Sequence, residues 1–228
     1  MISNDPDPMI ARHFISESFI PLKTSETGAN ALLIMDEFRV SHLPVVNNQE
    51  FLGLISETDI LNLNNFEEPI GNHPLSLPDA YIKEDQHIYE VIRLFDTLKL
   101  TLLPVLDEQN HYLGSITLPS LVHHISGIMA LDNPGGIIIL EINDKDYLLT
   151  EIAQIVESND AKILSLYITS YPDSTKMDVT LKVNRIDVGA ILQTFIRYNY
   201  LIKASFSEDT YSESLQDRYN SLMKYLNI

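Results

Sequence analysis

Two stretches about sixty residues apart repeat the same succession of apolar and polar positions. Residues 39–59, RVSHLPVVNNQEFLGLISETD, read as a helix end, a short apolar strand, a polar turn and a second strand. That strand closes on a hydroxyl at Ser56 and a carboxylate at Asp59. Residues 99–120, KLTLLPVLDEQNHYLGSITLPS, return the pattern. Leu43-Pro44-Val45-Val46 answers to Leu103-Pro104-Val105-Leu106, while Gly53 and Ser56 align with Gly114 and Thr117. An internal repeat takes precedence over other signals, because missing it misassigns the whole fold.

Around these strand pairs the periodicity predicts the remaining elements. Residues 19–22, FIPL, suit a short strand, with proline at a start or edge. Residues 29–38 place Ala29, Leu32, Leu33, Met35 and Phe38 at helical spacing. Asn47-Asn48-Gln49 supplies a turn, and a helix starts near Glu57, where Ser56 can cap it. Residues 62–79 hold three prolines, a glycine and four asparagines without any period, the mark of a linker. The second unit follows as a strand at 80–82 and a helix over 88–98, with Val91, Ile92, Leu94, Phe95 and Leu98 predicted inward. Strands at 102–106 and 112–117 come next, then a closing helix at 119–126 with proline in its first turn.

After Asn133-Pro134-Gly135-Gly136 the texture changes. Strands at 137–142, 161–169, 176–183 and 200–206 alternate with helices at 147–157 and 188–198. The order βαββαβ predicts a four-stranded antiparallel sheet with two helices on one face. An apolar stripe at Leu215, Tyr219, Leu222 and Leu226 predicts a terminal helix over 211–226. The expected division is 10–64 and 80–128 for the repeated units, 65–79 and 129–136 for linkers, 137–207 for the βαββαβ domain and 208–228 for a C-terminal helix. The fold class is α/β in the α+β sense.

Composition narrows the function. No cysteine is present, which excludes thiolate chemistry and disulfides. The first residues lack a basic region and an apolar run, and no stretch reaches the roughly 18 to 20 apolar residues of a membrane helix, so a cytoplasmic protein is expected. Net charge is −17, which disfavours nucleic acid and anionic lipid as partners. Residues 1–130 carry 6 Lys/Arg against 18 Asp/Glu, so an anionic ligand there depends on a few well-placed cations.

The helix followed by LPVV, then FLGLIS ending in SxxD, resembles the CBS domain, and the tandem covers about residues 10–128. Residues 135–142, the turn 143–147 and the second αβ half resemble an ACT domain. The order CBS–CBS–ACT is similar to regulatory proteins of the acetoin-utilisation type. The resemblance implies a pseudo-two-fold pair whose clefts hold adenosyl nucleotides such as AMP, ADP, ATP or S-adenosylmethionine. It implies that the carboxylate of the [S/T]xxD motif accepts hydrogen bonds from ribose hydroxyls, with the preceding hydroxyl near phosphate. An acceptor-only carboxylate suits a vicinal diol, and a helix N-terminus suits phosphate.

Carried onto this chain, Ser56 and Asp59 match the motif, with Thr24 a further candidate. Adenine would lie against strand edges at Ile20 to Leu22 and at Ser41, His42 and Leu43. The second unit keeps Thr117 but has Ser120 where the motif has Asp, so one good cleft and one weak or empty cleft are expected. Lys23 and Lys83 are repeat equivalents, as are Arg39 and Lys99, and both pairs are candidates for phosphate neutralisation. Helix capping is the competing reading of Ser56 and Asp59, and solvated surface that of the cations.

The seven histidines show no HxxxH or HExxH spacing, so no metal is predicted. No nucleophile motif, P-loop or GxGxxG occurs, so no enzyme activity is expected. Tyr147 stands where ligand-binding ACT domains usually have glycine, which argues against an amino-acid ligand. Two classes remain, a nucleotide-binding regulatory sensor and a non-binding scaffold with decayed clefts. In both a homodimer and a further protein partner are expected.

Overall fold

The computed structural model describes residues 9–16 and 19–207, so the expected helix at 211–226 lies outside the described residues. The chain divides into two compact units, Met1–His124 and Ile125–Ile228.

The first unit contains the two repeats. Repeat one runs α1 (Gly28–Phe38), β1 (His42–Asn47), β2 (Glu50–Ser56) and α2 (Glu57–Leu61). Repeat two runs β3 (Ile82–Lys83), α3 (Ile88–Leu98), β4 (Leu102–Leu106), β5 (Tyr112–Thr117) and α4 (Leu118–Ile128). In each repeat an antiparallel pair, β1–β2 or β4–β5, is joined by a parallel neighbour. Leu22 bridges Val45 in the first, and Ile82 pairs with Val105 in the second. Even the irregularities repeat, with bulges at Val45/Val46 and Val105/Leu106. Helices α1 and α3 both end on a left-handed residue, Arg39 and Lys99.

The repeats are interlaced. Residues leading into repeat two flank β2 of repeat one, where Leu54 N–H donates to the Leu77 carbonyl at 3.0 Å. Residues leading into repeat one flank β5, where Ser16 N–H donates to the Ser115 carbonyl at 2.9 Å. Tyr112 N–H also donates to the Gln49 carbonyl, joining the two hairpins. Leu22, Leu43, Leu54, Ile82, Leu102, Leu103 and Ile116 are fully buried at the centre. Each such side chain stabilises the unit by about 1.5–3 kcal/mol relative to exposure.

The buried helix faces are narrower than the apolar patterns, and Ile92 departs from its expected inward place. Helix α1 buries Gly28, Ala31 and Met35, whereas Leu33 is 70% exposed and Phe38 also reaches solvent. Helix α3 buries Ile88, Val91 and Phe95 and leaves Ile92 exposed. Both helices are apolar over more of their circumference than the sheet beneath can cover, so spacing alone does not choose the face.

The second unit comprises β6 (Ile137–Asn143), α5 (Leu149–Glu157), β7 (Ile163–Ser170), β8 (Lys176–Val183), α6 (Gly189–Arg197) and β9 (Leu201–Phe206). The sheet order is β7-β8-β6-β9, antiparallel throughout, which is the ferredoxin-like arrangement of two split βαβ units. Ile138, Leu140, Val179 and Leu181 face Ile152, Val156, Ile191 and Phe195 of the helices. Tyr147 packs against this core. Among the described residues no helix is long and apolar enough to cross a membrane.

Candidate functional site

Helix α2 begins where β2 ends, so the Ser56–Asp59 pair is set by a strand-to-helix turn. Ser56 and Asp59 form a reciprocal capping box. Asp59 N–H donates to Ser56 Oγ at 3.1 Å, while Ser56 N–H and Ser56 Oγ–H donate to Asp59 Oδ2 at 2.8 and 2.7 Å. A third donor, Ser76 Oγ–H, reaches the same Oδ2 at 2.5 Å from the inter-repeat linker. Asp59 Oδ1 accepts no hydrogen bond from the described residues. Burial raises the pKa of Asp59, but the bonds from Ser76 and Ser56 and the nearby His42 outweigh it and hold the carboxyl below its ordinary range.

His42 stands opposite Ser56 across the β1–β2 ladder. Burial lowers its pKa, and Asp59 only partly offsets this. His42 Nδ1 lies 3.1 Å from Thr101 Oγ1, and Ser41 N–H donates to the same Thr101 oxygen at 2.8 Å. Thr101 is the repeat equivalent of Ser41, so the two repeats meet at this polar contact. The structure therefore gathers Ser41, His42, Ser56 and Asp59, and adds Thr101 and Ser76. Sequence reasoning missed these last two. Thr101 was findable from the repeat register, whereas nothing local marks Ser76, which reaches Asp59 from 17 positions away.

Several expected contacts are corrected. Leu22 and Leu43 are core residues with no exposed surface, so their side chains do not line a cleft. The backbone edge at Leu22 is taken up by β1, through Leu22 N–H to the Pro44 carbonyl and Val46 N–H to the Leu22 carbonyl. At Ser41 the amide is held by Thr101 and the carbonyl by Glu57 N–H at 2.9 Å. Ser56 Oγ is committed to the cap and is not free for phosphate. Arg39 pairs with Asp36, and its equivalent Lys99 with Asp96, both in exposed ion pairs on their own helices. Lys83 donates to the Asp107 carbonyl and Asn110 Oδ1. Lys23 is exposed, and half-buried Thr24 holds Gly71 N–H through its carbonyl. Ile20 is 77% exposed.

The equivalent turn in repeat two is built from weaker groups. Ser120 N–H donates to Thr117 Oγ1 at 3.4 Å, Ser120 Oγ–H to the Phe14 carbonyl at 3.4 Å, and Thr117 Oγ1 lies 3.5 Å from Ser16 Oγ. Leu102 replaces His42, and Ile15 packs where a Cβ on Gly114 would fall, as Leu75 does over Gly53. Glu84 replaces Thr24 and is paired with Arg12 at 2.6 Å.

In the second unit a groove of about 400 Å³ is lined by residues including Asn143, Asp146, Glu151 and Tyr200. Tyr200 O–H donates to Glu151 Oε2 at 2.6 Å, and burial together with that carboxylate pushes the phenol pKa up. Glu141, Asp146 and Glu151 against Lys176 give the groove a net negative charge, which does not suit an anion.

The profile of the CBS domain family matches residues 11–64 and 75–127, so the first unit carries a tandem pair of CBS domains. Over 113 residues the chain is 25% identical to an inosine-5'-monophosphate dehydrogenase of Methanocaldococcus jannaschii, a match covering 49% of this chain and 23% of that protein. It spans less than a third of the length of the curated relatives it matches. A CBS domain pair/ACT domain protein from Thermotoga maritima is 23% identical with a TM-score of 0.47, covering 52% of this chain and 98% of that one. CBSX2, solved in complex with AMP, is 22% identical with a TM-score of 0.45, covering 52% of this chain and 97% of that one.

Proposed function

We propose that this tandem CBS pair is a regulatory module that takes one adenosyl ligand per chain, in the cleft of the first repeat at Asp59. The observation that carries the reading is the division of labour within that carboxylate. Oδ2 is held by serine donors, while Oδ1 is left to accept from a ligand hydroxyl. A carboxylate kept ionised by its neighbours is a strong acceptor for a ribose diol. His42, Ser41 and Thr101 add polar groups beside it at the contact between repeats.

The second cleft lacks this chemistry. It offers Leu102, Ile15 and a neutral Ser120, and Glu84 would repel an anion. The cations near the first cleft are mostly committed elsewhere. The site therefore reads the nucleoside and contributes little to phosphate binding, which ranks AMP and S-adenosylmethionine at or above ATP. The chain has no catalytic step in this reading. The ligand changes the balance between two arrangements of the repeats by its differential affinity for them, and the βαββαβ domain or a partner receives the change.

Isothermal calorimetry against AMP, ADP, ATP and S-adenosylmethionine tests this. One site per chain is expected, abolished by Asp59→Ala and retained by Ser120→Ala. Two equal sites, or binding unaffected by Asp59→Ala, would contradict it.

A second reading, a dimeric scaffold, draws on exposed apolar residues of the helices, with Leu33 at 70%, Tyr89 at 73% and Val122 at 62%. Sedimentation with Leu33→Glu distinguishes it. A homodimer dissociated by this change, in a protein that binds no adenosyl compound, would favour the scaffold.

A further inference from the structure

We infer that Ser76 is a displaceable stand-in for a ligand hydroxyl, and that its release makes the inter-repeat linker the part that senses occupancy. The inference rests on the nucleotide reading of the Asp59 cleft. Three donors converge on Asp59 Oδ2, one more than the two lone pairs of a single carboxylate oxygen accommodate. Two of them belong to Ser56 and are fixed by the capping box, three positions from Asp59. The third is the hydroxyl of an exposed serine brought in by the linker. It is the surplus donor and the one free to leave. A diol entering the cleft brings two hydroxyls to the same carboxylate, so it can satisfy Oδ1 and take over the place that Ser76 holds on Oδ2.

The linker is seated on either side of Ser76 by short-range contacts. Leu75 occupies the space over Gly53, where a Cβ would lie 3.0 Å from Leu75 Cδ1. Leu77 accepts the Leu54 amide through its carbonyl at 3.0 Å. Opposite Leu54 on β1 stands Pro44, which has no N–H. The Leu54 amide thus points at the linker, and its protection depends on the linker staying in place. Residues 75–77 lead directly into the strand of repeat two, so release at Asp59 is felt by the other repeat. Repeat two has a neutral Ser120 where repeat one has Asp59, so the carboxylate on which the device depends occurs once per chain.

Hydrogen exchange at the Leu54 amide, followed by NMR on the full chain, tests this together with AMP and S-adenosylmethionine titrations of Ser76→Ala and Ser76→Thr. Saturating ligand is expected to speed Leu54 exchange at least several-fold. Ser76→Ala should bind about five-fold more tightly, the worth of one competing hydrogen bond, and Ser76→Thr, which keeps the hydroxyl, should bind like the wild type. Ligand binding with unchanged Leu54 exchange, or binding to Ser76→Ala that is equal or weaker, overturns the role of Ser76 and leaves the nucleotide reading standing. Absence of binding to wild type and both variants overturns the nucleotide reading itself.

Discussion

Asp59 caps α2 and, in the function proposed above, also receives the ligand; pH isolates the energy of the first role. Its folded-state pKa is depressed, chiefly because the hydrogen bonds from Ser76 and Ser56 outweigh the opposing effect of burial. A depressed carboxyl contributes stability fully above its unfolded pKa of about 4 and loses it as pH falls through the lower folded value. Asp59→Asn should therefore cost about 1 kcal/mol near neutral pH, the scale of a helix cap. That deficit should shrink as pH falls below the unfolded value of about 4 and through the lower folded value. Urea unfolding at several pH values measures this, and a deficit independent of pH would show that the charge plays no part. The Ser56–Asp59 pair was legible from its spacing, but spacing could not separate a cap from a ligand contact. The structure shows the cap directly, with every bond that the Asp59 side chain accepts from the described residues on Oδ2. Ser76 was illegible, because a serine in a linker without periodicity carries no sign of the long-range partner it will meet.

Elements were easier to read than faces. The βαββαβ order of the second unit follows from alternating strand and helix periods, and each strand falls within a few residues of its expected place. The inward face of α3 was misjudged at Ile92, because apolar residues surround more of that helix than the sheet can bury. The strand edges at Leu22 and Ser41 were taken for ligand surface, and strand pairing and Thr101 already satisfy them. The entry into β6 offers a sharper test of an element. Gly135 has φ of +159°, and a Cβ there would lie 1.9 Å from the Val183 carbonyl oxygen, a backbone atom that cannot step aside. Gly135→Ala should destabilise the second unit by several kcal/mol, on the order of 3 or more, since only a shift of β8 relieves the clash. AMP binding in the first unit should survive the substitution. Thermal unfolding and calorimetry of the variant check both parts, and a variant as stable as the wild type would contradict the geometry.

At the scale of the whole molecule, charge is the dominant field. A net charge of −17 repels polyanions, and Arg39, Lys83 and Lys99 are already paired or hydrogen-bonded. Added salt screens that repulsion. ATP affinity should therefore stay constant or rise between about 50 and 200 mM monovalent salt, and AMP should bind at least as tightly as ATP. A steep loss of ATP affinity with salt would instead reveal a basic phosphate clamp. The central claim, that one cleft of the pair recognises an adenosyl group through Asp59, is tested most directly by titrating AMP into isotope-labelled protein and following backbone amide shifts. Saturable changes are predicted at Ser41, His42, Ser56, Asp59 and residues 75–77, with Thr117 and Ser120 unmoved. Shifts centred on Thr117 and Ser120, or none at any concentration, would contradict it.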